Sequence, residues 1–246
     1  LGSALLLEAA VFCVRRLSAL SEALQRTPGA RAEAPIGGSI LSGLEHALKS
    51  PYLINVSLFL LLFAITSTFL YFQQAEIVRQ SFADRGARTA FFAQVDLWVN
   101  VLTLSAQLLI TGRTIRWIGV ALTLAILPSM SIAGFATLVW TPTIAALVVI
   151  QVTRRAGNFA FARPAREVLF TVVPREDKYK AKSFIDTVVY RLGDQVGAWS
   201  YAGLGALGLA MTGISLVAVP LSIVWLLNSL WLGRKQKALE AAPAAG

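Results

Sequence analysis

The sequence has 246 residues, 56% hydrophobic and 14% charged, with a mean hydropathy of +0.66. Soluble domains carry about 25% charge, so this composition excludes an ordinary soluble domain and is that of a membrane protein. The net charge of +9 lies mostly in short segments between apolar runs, the pattern of the positive-inside rule rather than of a nucleic-acid-binding surface.

Residues 1–14 are apolar apart from Glu8. They are too short to cross a bilayer alone, since a span needs about 20 residues. With Leu1 in place of a starting Met, they read as the end of a truncated transmembrane helix. Cys13, the one cysteine, lies in this run and reads as a small packed residue, with no disulfide framework. Residues 15–50 carry Arg15, Arg16, Arg26, Arg31 and Lys49 among Pro28, Gly29, Pro35, Gly37 and Gly38. This is the composition of a hydrophilic connector. His46, the one histidine, stands there beside Glu45 without a second ligand residue and reads as a surface residue.

Residues 51–232 read as a bundle of six transmembrane helices. The first span, 51–74, opens on Pro51 and places Ser67, Tyr71 and Gln74 on one face. A loop with Arg79, Asp84, Arg85, Gly86 and Arg88 follows. The second span, 91–110, carries Asp96, Asn100, Thr103 and Gln107 at intervals of four, three and four, a single stripe that must face protein or water rather than lipid. The stripe is either a hydrogen-bonded seam between helices or a solute pathway, and the ionisable Asp96 favours the pathway. Gly112, Arg113 and Arg116 read as a tight basic turn. The third span, 117–139, holds Pro128 as an expected kink, and Trp140 to Pro142 form an uncharged turn with Trp140 at the interface.

The fourth span, 143–162, places Gln151, Arg155 and Asn158 on one face, with Arg154 beside them. Those arginines either bind an anion or are snorkelling ends at the cytoplasmic boundary. The stretch 161–199 follows, with Arg163, Arg166, Arg175, Lys178, Lys180 and Lys182 interspersed with Glu167, Glu176 and Asp177. A charge at mid-membrane costs ~3 kcal/mol, so the polar part of this stretch is expected as a loop on one face. The fifth span, 184–210, continues a repeat of Lys182, Asp186, Tyr190 and Asp194, and holds Gly193 and Gly197 at the spacing of close helix contact. Residues 211–213 read as a short turn. The last span, 214–232, contains Pro220, and residues 233–246 read as a cytoplasmic tail.

Eighteen Lys and Arg residues fall on the side of the connector, the 113–116 turn, the segment 154–182 and the tail; three fall on the other side, and Arg191 lies within a span. That bias puts the connector, the central polar stretch and the C-terminus in the cytoplasm, and the chain in the cell inner membrane. No Walker A, G-x-S-x-G, H-E-x-x-H or C-x-x-C sequence is present, so catalysis, a metal site and a cofactor are not expected. What remains is ionisable and amide groups on the inner faces of spanning helices, which suits solute passage.

A truncated helix, a basic connector and six spans are the order of a two-half transporter cut within its sixth helix, and G-R-T-I-R sits where major facilitators have a short basic loop. The resemblance becomes specific at Arg166-Glu167-Val168, Lys178-Tyr179-Lys180-Ala181-Lys182, Ile185-Asp186, Arg191 and Gly193. These residues resemble the ATP/ADP translocase family of bacteria and plastids, over its C-terminal half; the pattern departs at Asp194-Gln195. The resemblance implies an all-α polytopic fold, the six-helix C-terminal half of a major-facilitator-like transporter. It also implies ATP:ADP exchange by alternating access, with the N-terminal half of the same transporter, the lipid bilayer and a nucleotide as partners. On that reading Asp96, Asn100, Arg155, Asn158 and Arg166 contact the solute. Glu167, Lys178, Lys180, Lys182, Asp186 and Arg191 form a charge network at the cytoplasmic gate. The lysine run alone fits topology and anionic lipid as well as phosphate. Two other readings stay open: a proton-coupled facilitator of another solute working through Asp96, and a membrane-embedded regulatory module without transport.

Overall fold

The computed structural model describes residues 2–25, 48 and 50–241. The chain divides into two units, Leu1–Gly37 and Gly38–Gly246. In the first, helix α1 runs over Gly2–Gln25. It continues through Arg15 and Arg16, so the apolar run and the start of the expected connector are one helix. Residues 26–47 of the connector, His46 included, residue 49 and the residues after Ala241 lie outside the described residues.

The described residues of the second unit are helical apart from short connections. Helix α2 is Pro51–Ser81, α3 Arg85–Leu109, α4 Thr111–Trp140 and α5 Ile144–Gly157. A π-turn, Asn158–Ala162, joins α5 to α6, Arg163–Leu169, which ends in a 3₁₀ turn. Helix α7, Arg175–Phe184, passes through a second π-turn, Ile185–Val189, into α8, Tyr190–Ala206; α9 is Met211–Ala241. Among the described residues, α2, α3, α4 and α9 are each long and apolar enough to cross a membrane. The chain is an all-α polytopic membrane protein.

Local chemistry sets the helix starts. The Ser50 hydroxyl accepts from the Leu53 N–H ahead of Pro51, the Asp84 carboxylate accepts from the Ala87 N–H at 2.8 Å, and the Thr143 hydroxyl accepts from the Ala146 N–H at 3.3 Å. Each satisfies one of the free donors of a first helical turn. Several boundaries differ from the sequence reading. The loop expected around residues 79–88 shrinks to three residues, 82–84, because Asp84 caps a new helix at once. Arg113 and Arg116 lie in the first turns of α4, not in a turn of their own. The departure from helical geometry falls at Gly119, whose φ of 77° is open to glycine and strained for other residues, rather than at Pro128. The polar stretch expected as a loop is helical except at Val173 and Pro174; Pro174 stands at the N-cap of α7, and the Glu, Lys and Ala residues that follow are good helix formers. The turn expected at 211–213 lies at 207–210 instead, and α9 carries Arg234, Lys235 and Lys237 within its last turns.

Helix α2 is the centre of the unit, with Leu53, Val56, Phe59, Leu60, Phe69 and Leu70 all buried. Against it lie α8 on one side and α9 on another. Gly193 and Gly197 set the α2–α8 contact: a Cβ on Gly193 would stand 2.6 Å from Ala64 Cβ, and one on Gly197 would stand 3.1 Å from Ile65 Cα. Trp225 of α9 is fully buried and meets Phe59 edge-on at 5.5 Å, a favourable aromatic geometry. Helix α3 touches protein mainly through Val95 and Val99 against Val152. Its Leu97, Leu104 and Leu108 are exposed, an apolar face that suits lipid or another apolar protein surface.

Candidate functional site

Helices α2, α3, α5, α6 and α8 line an open cavity of about 740 Å³. Ser67, Tyr71 and Gln74, the shared face of α2, line it, as do Asp96 of α3, Gln151 and Arg155 of α5 and Asn158 at the start of the π-turn. The spacings that placed those residues on common faces bring the two faces to one space. Gln151 donates to Gln74 through their side-chain amides, both residues being buried. Aromatic side chains complete the wall: Phe63, Phe92, Phe159 and Tyr190.

Arg154 and Arg155 stand side by side in sequence and in different surroundings. Arg154 is 4% exposed. Its Nε donates to Ser131 Oγ at 2.9 Å; its Nη2 donates to Thr66 Oγ1 at 2.9 Å and Ser67 Oγ at 3.1 Å. Its guanidinium stands 5.5 Å from the centre of the Phe63 ring. Every partner is neutral, and among the described residues no carboxylate pairs with it. A guanidinium has five N–H donors, so Nη1 keeps two that these bonds do not use. Arg155 donates through Nη1 to Asp96 Oδ1 at 2.6 Å, with the side chains 40% and 56% exposed. Arg163 lies over the Phe159 ring at 4.7 Å and also lines the cavity.

Buried charge in a bilayer is expensive, and a buried arginine without a counter-ion is more so. The three hydroxyls lower that cost through hydrogen bonding without neutralising the charge. The cavity is therefore electropositive along α5 and aromatic around it, and what it accepts most readily is an anion with an apolar or aromatic part.

The other residues singled out in the sequence fall as follows. Asn100 is exposed one turn beyond Asp96 and does not line the cavity. Gln107 donates to the Phe159 carbonyl at 3.1 Å, tying the far end of the α3 stripe to the π-turn. Arg166 is not at the cavity: its Nη2 stands 3.2 Å from Asp186 Oδ1, an ion pair without hydrogen-bond alignment. Lys182 pairs with Glu167 and lies 5.8 Å from the centre of the Phe170 ring. These two pairs clamp α6 to α7 and the second π-turn. Arg191 pairs with Asp194 at 3.5 Å, and Lys178 and Lys180 lie on α7, away from the cavity lining.

The repeat of Lys182, Asp186, Tyr190 and Asp194 does not stay on one face. A π-turn adds a residue to the helical repeat, and the turn at Ile185–Val189 divides the series. Lys182 and Asp186 join the clamp, while Tyr190 and Asp194 line the cavity. Arg154 was visible in the sequence as a neighbour of Arg155. Its distinction, a cage built from Thr66, Ser67 and Ser131, comes from two other helices and leaves no mark on local spacing.

No family model matches this chain, and no solved structure does. It is similar to ADP,ATP carrier protein 1 of Chlamydia trachomatis serovar D, at 25% identity over 83% of this chain and 45% of the relative. The carrier protein 1 of Chlamydia muridarum is 23% identical over 84% of this chain, and ADP,ATP carrier protein 2 of Chlamydia pneumoniae 23% over 77%. The chain spans less than half the length of these relatives. The likeness extends well beyond residues 166–193 and supports the translocase family read there.

Proposed function

We propose that this chain, similar along most of its length to the ADP,ATP carrier proteins, works as the C-terminal half of a nucleotide antiporter that exchanges ATP for ADP by alternating access. The observation that carries this reading is the cavity: Arg154, charged and with no carboxylate partner among the described residues, stands there among aromatic side chains. The arginines receive the phosphates, since guanidinium matches phosphate oxygens in a bidentate fork. Phe63, Tyr71, Phe92, Phe159 and Tyr190 supply the surface on which a base packs, with stacking worth about 1–3 kcal/mol per base in other proteins.

The composite helical runs 144–169 and 175–206 complete a six-span bundle with α2, α3, α4 and α9. The N-terminal half of the same transporter closes the open side of the cavity. The clamp of Arg166–Asp186 and Glu167–Lys182 belongs to the cytoplasmic gate, a reading that the charge bias of the chain supports. The chain sits in the inner membrane and performs no catalysis; binding and exchange are its whole chemistry.

The test is uptake of labelled ATP into liposomes that contain the complete protein. Uptake that depends on ADP inside the vesicle is the expected result. Uptake indifferent to internal ADP and driven instead by an imposed proton gradient would replace this reading with a proton-coupled facilitator. No solute movement, with a protein partner co-purifying, would favour a regulatory module.

A further inference from the structure

The two adjacent arginines of α5 are held in ways that give them different tasks. We propose that Arg154 and Arg155 form a two-position site for a polyphosphate chain, in which Arg154 is the fixed donor and Asp96 is an internal competitor of the phosphate for Arg155. The inference rests on the nucleotide reading and extends it to how the site sets its own affinity.

Arg154 is fixed by geometry. Nε and Nη2 are held by three hydroxyls from two helices, Ser131 of α4 and Thr66 and Ser67 of α2. Those hydroxyls are themselves anchored, each donating to a carbonyl one turn back: Ser131 to Leu127, Thr66 to Leu62 and Ser67 to Phe63. The guanidinium is oriented before any ligand arrives, and its charge is unspent. A preorganised donor of this kind binds an anion without reorganising.

Arg155 is the opposite case. Its charge is already matched by the Asp96 carboxylate at 2.6 Å. A phosphate oxygen reaching Arg155 Nη1 takes the position that Asp96 Oδ1 holds. The pair lies at the cavity wall and both side chains are substantially exposed, the setting in which ion pairs contribute little and part readily. Asp96 therefore weakens binding by a modest factor and keeps Arg155 neutralised when the site is empty. For an exchanger the consequence is useful: a ligand held by both arginines would leave slowly, and a carboxylate waiting to reclaim one of them speeds its departure. Among the described residues, the one other acidic side chain in the cavity lining is Asp194, which is engaged by Arg191.

The experiment is a binding titration of the complete protein with inorganic tripolyphosphate, and separately with ATP, followed by exchange kinetics. Asp96→Asn is expected to bind tripolyphosphate about fivefold more tightly than wild type, and to show a lower KM for ATP with a lower maximal exchange rate. Arg155→Gln is expected to weaken binding, and Asp96→Asn combined with Arg155→Gln to bind no more tightly than Arg155→Gln alone. Asp96→Glu, which keeps the charge, is expected to behave like wild type. If Asp96→Asn does not fold, Asp96→Ser carries the same expectation. Unchanged or weaker tripolyphosphate binding by a folded neutral variant overturns the proposal, as does a gain that persists without Arg155. Normal ATP exchange with no effect of Asp96 removes the internal competitor and leaves the nucleotide reading. The predicted affinity pattern without ADP-dependent ATP uptake removes the nucleotide reading and leaves the two-position site.

Discussion

Replacing Arg154 by methionine separates the cost of a buried charge from its use. Methionine is apolar, flexible and long enough to fill much of the same space. In the native protein Arg154 is 4% exposed and donates to Ser131, Thr66 and Ser67. Those three hydroxyls keep their own donor bonds to Leu127, Leu62 and Phe63 when the arginine is removed. They lose only an incoming donor, so no buried donor is stranded. The folded state also sheds a desolvated charge that has no carboxylate partner among the described residues, and replacing buried charge by well-packed apolar groups is often neutral or stabilising. The expected unfolding midpoint in detergent is therefore equal to wild type or higher. Binding moves the other way. A hydrogen bond to a charged group contributes about 1.5–3 kcal/mol, so ATP affinity falls by about 10- to 150-fold. The assay pairs thermal unfolding with ADP-dependent ATP uptake on one preparation. Arg154→Met that exchanges ATP normally would refute the role given to Arg154. A large loss of stability would show instead that the residue serves the fold.

Three further outcomes follow from the same geometry. Gly193→Val places a Cβ 2.6 Å from Ala64 Cβ, which must push α8 from α2; a loss of about 1–3 kcal/mol is expected in chemical unfolding, and wild-type stability would contradict the close contact. Neutralising Lys178 and Lys180 together is expected to leave ATP affinity unchanged in a competition assay, since neither lines the cavity; a large rise in Kd would return them to the phosphate path. Tyr179→Cys, on α7 and exposed, is expected to react with an impermeant maleimide from the cytoplasmic side only, in a Cys13→Ala background. Reaction from the opposite side would reverse the orientation inferred from the charge bias.

The sequence made much of the membrane architecture readable, for a physical reason. Spans announce themselves by composition, and a polar residue on a spanning helix has few places to go. Ser67, Tyr71 and Gln74, and Gln151, Arg155 and Asn158, were legible as shared faces because helical periodicity holds along α2 and α5, and they meet at one cavity. Periodicity failed where the helix itself changed pitch. The π-turn at Ile185–Val189 split a four-residue repeat between two places, and the helical propensity of Glu, Lys and Ala turned an expected loop into α7. The cage around Arg154 was beyond local reading altogether, since Thr66, Ser67 and Ser131 come from different helices and look in sequence like ordinary small polar residues of a span. Arg166 read as a solute contact because arginine suits phosphate, yet Asp186, twenty residues on, is the partner it finds.

The most direct measurement is whether a nucleotide occupies this cavity. Tyr71 lines it and is 65% exposed, so Tyr71→Cys in the complete protein with Cys13→Ala gives a thiol at its wall. A water-soluble maleimide is expected to label this cysteine, and saturating ATP or ADP to slow the labelling. Labelling at an undiminished rate while ATP is bound would contradict nucleotide occupancy of the cavity.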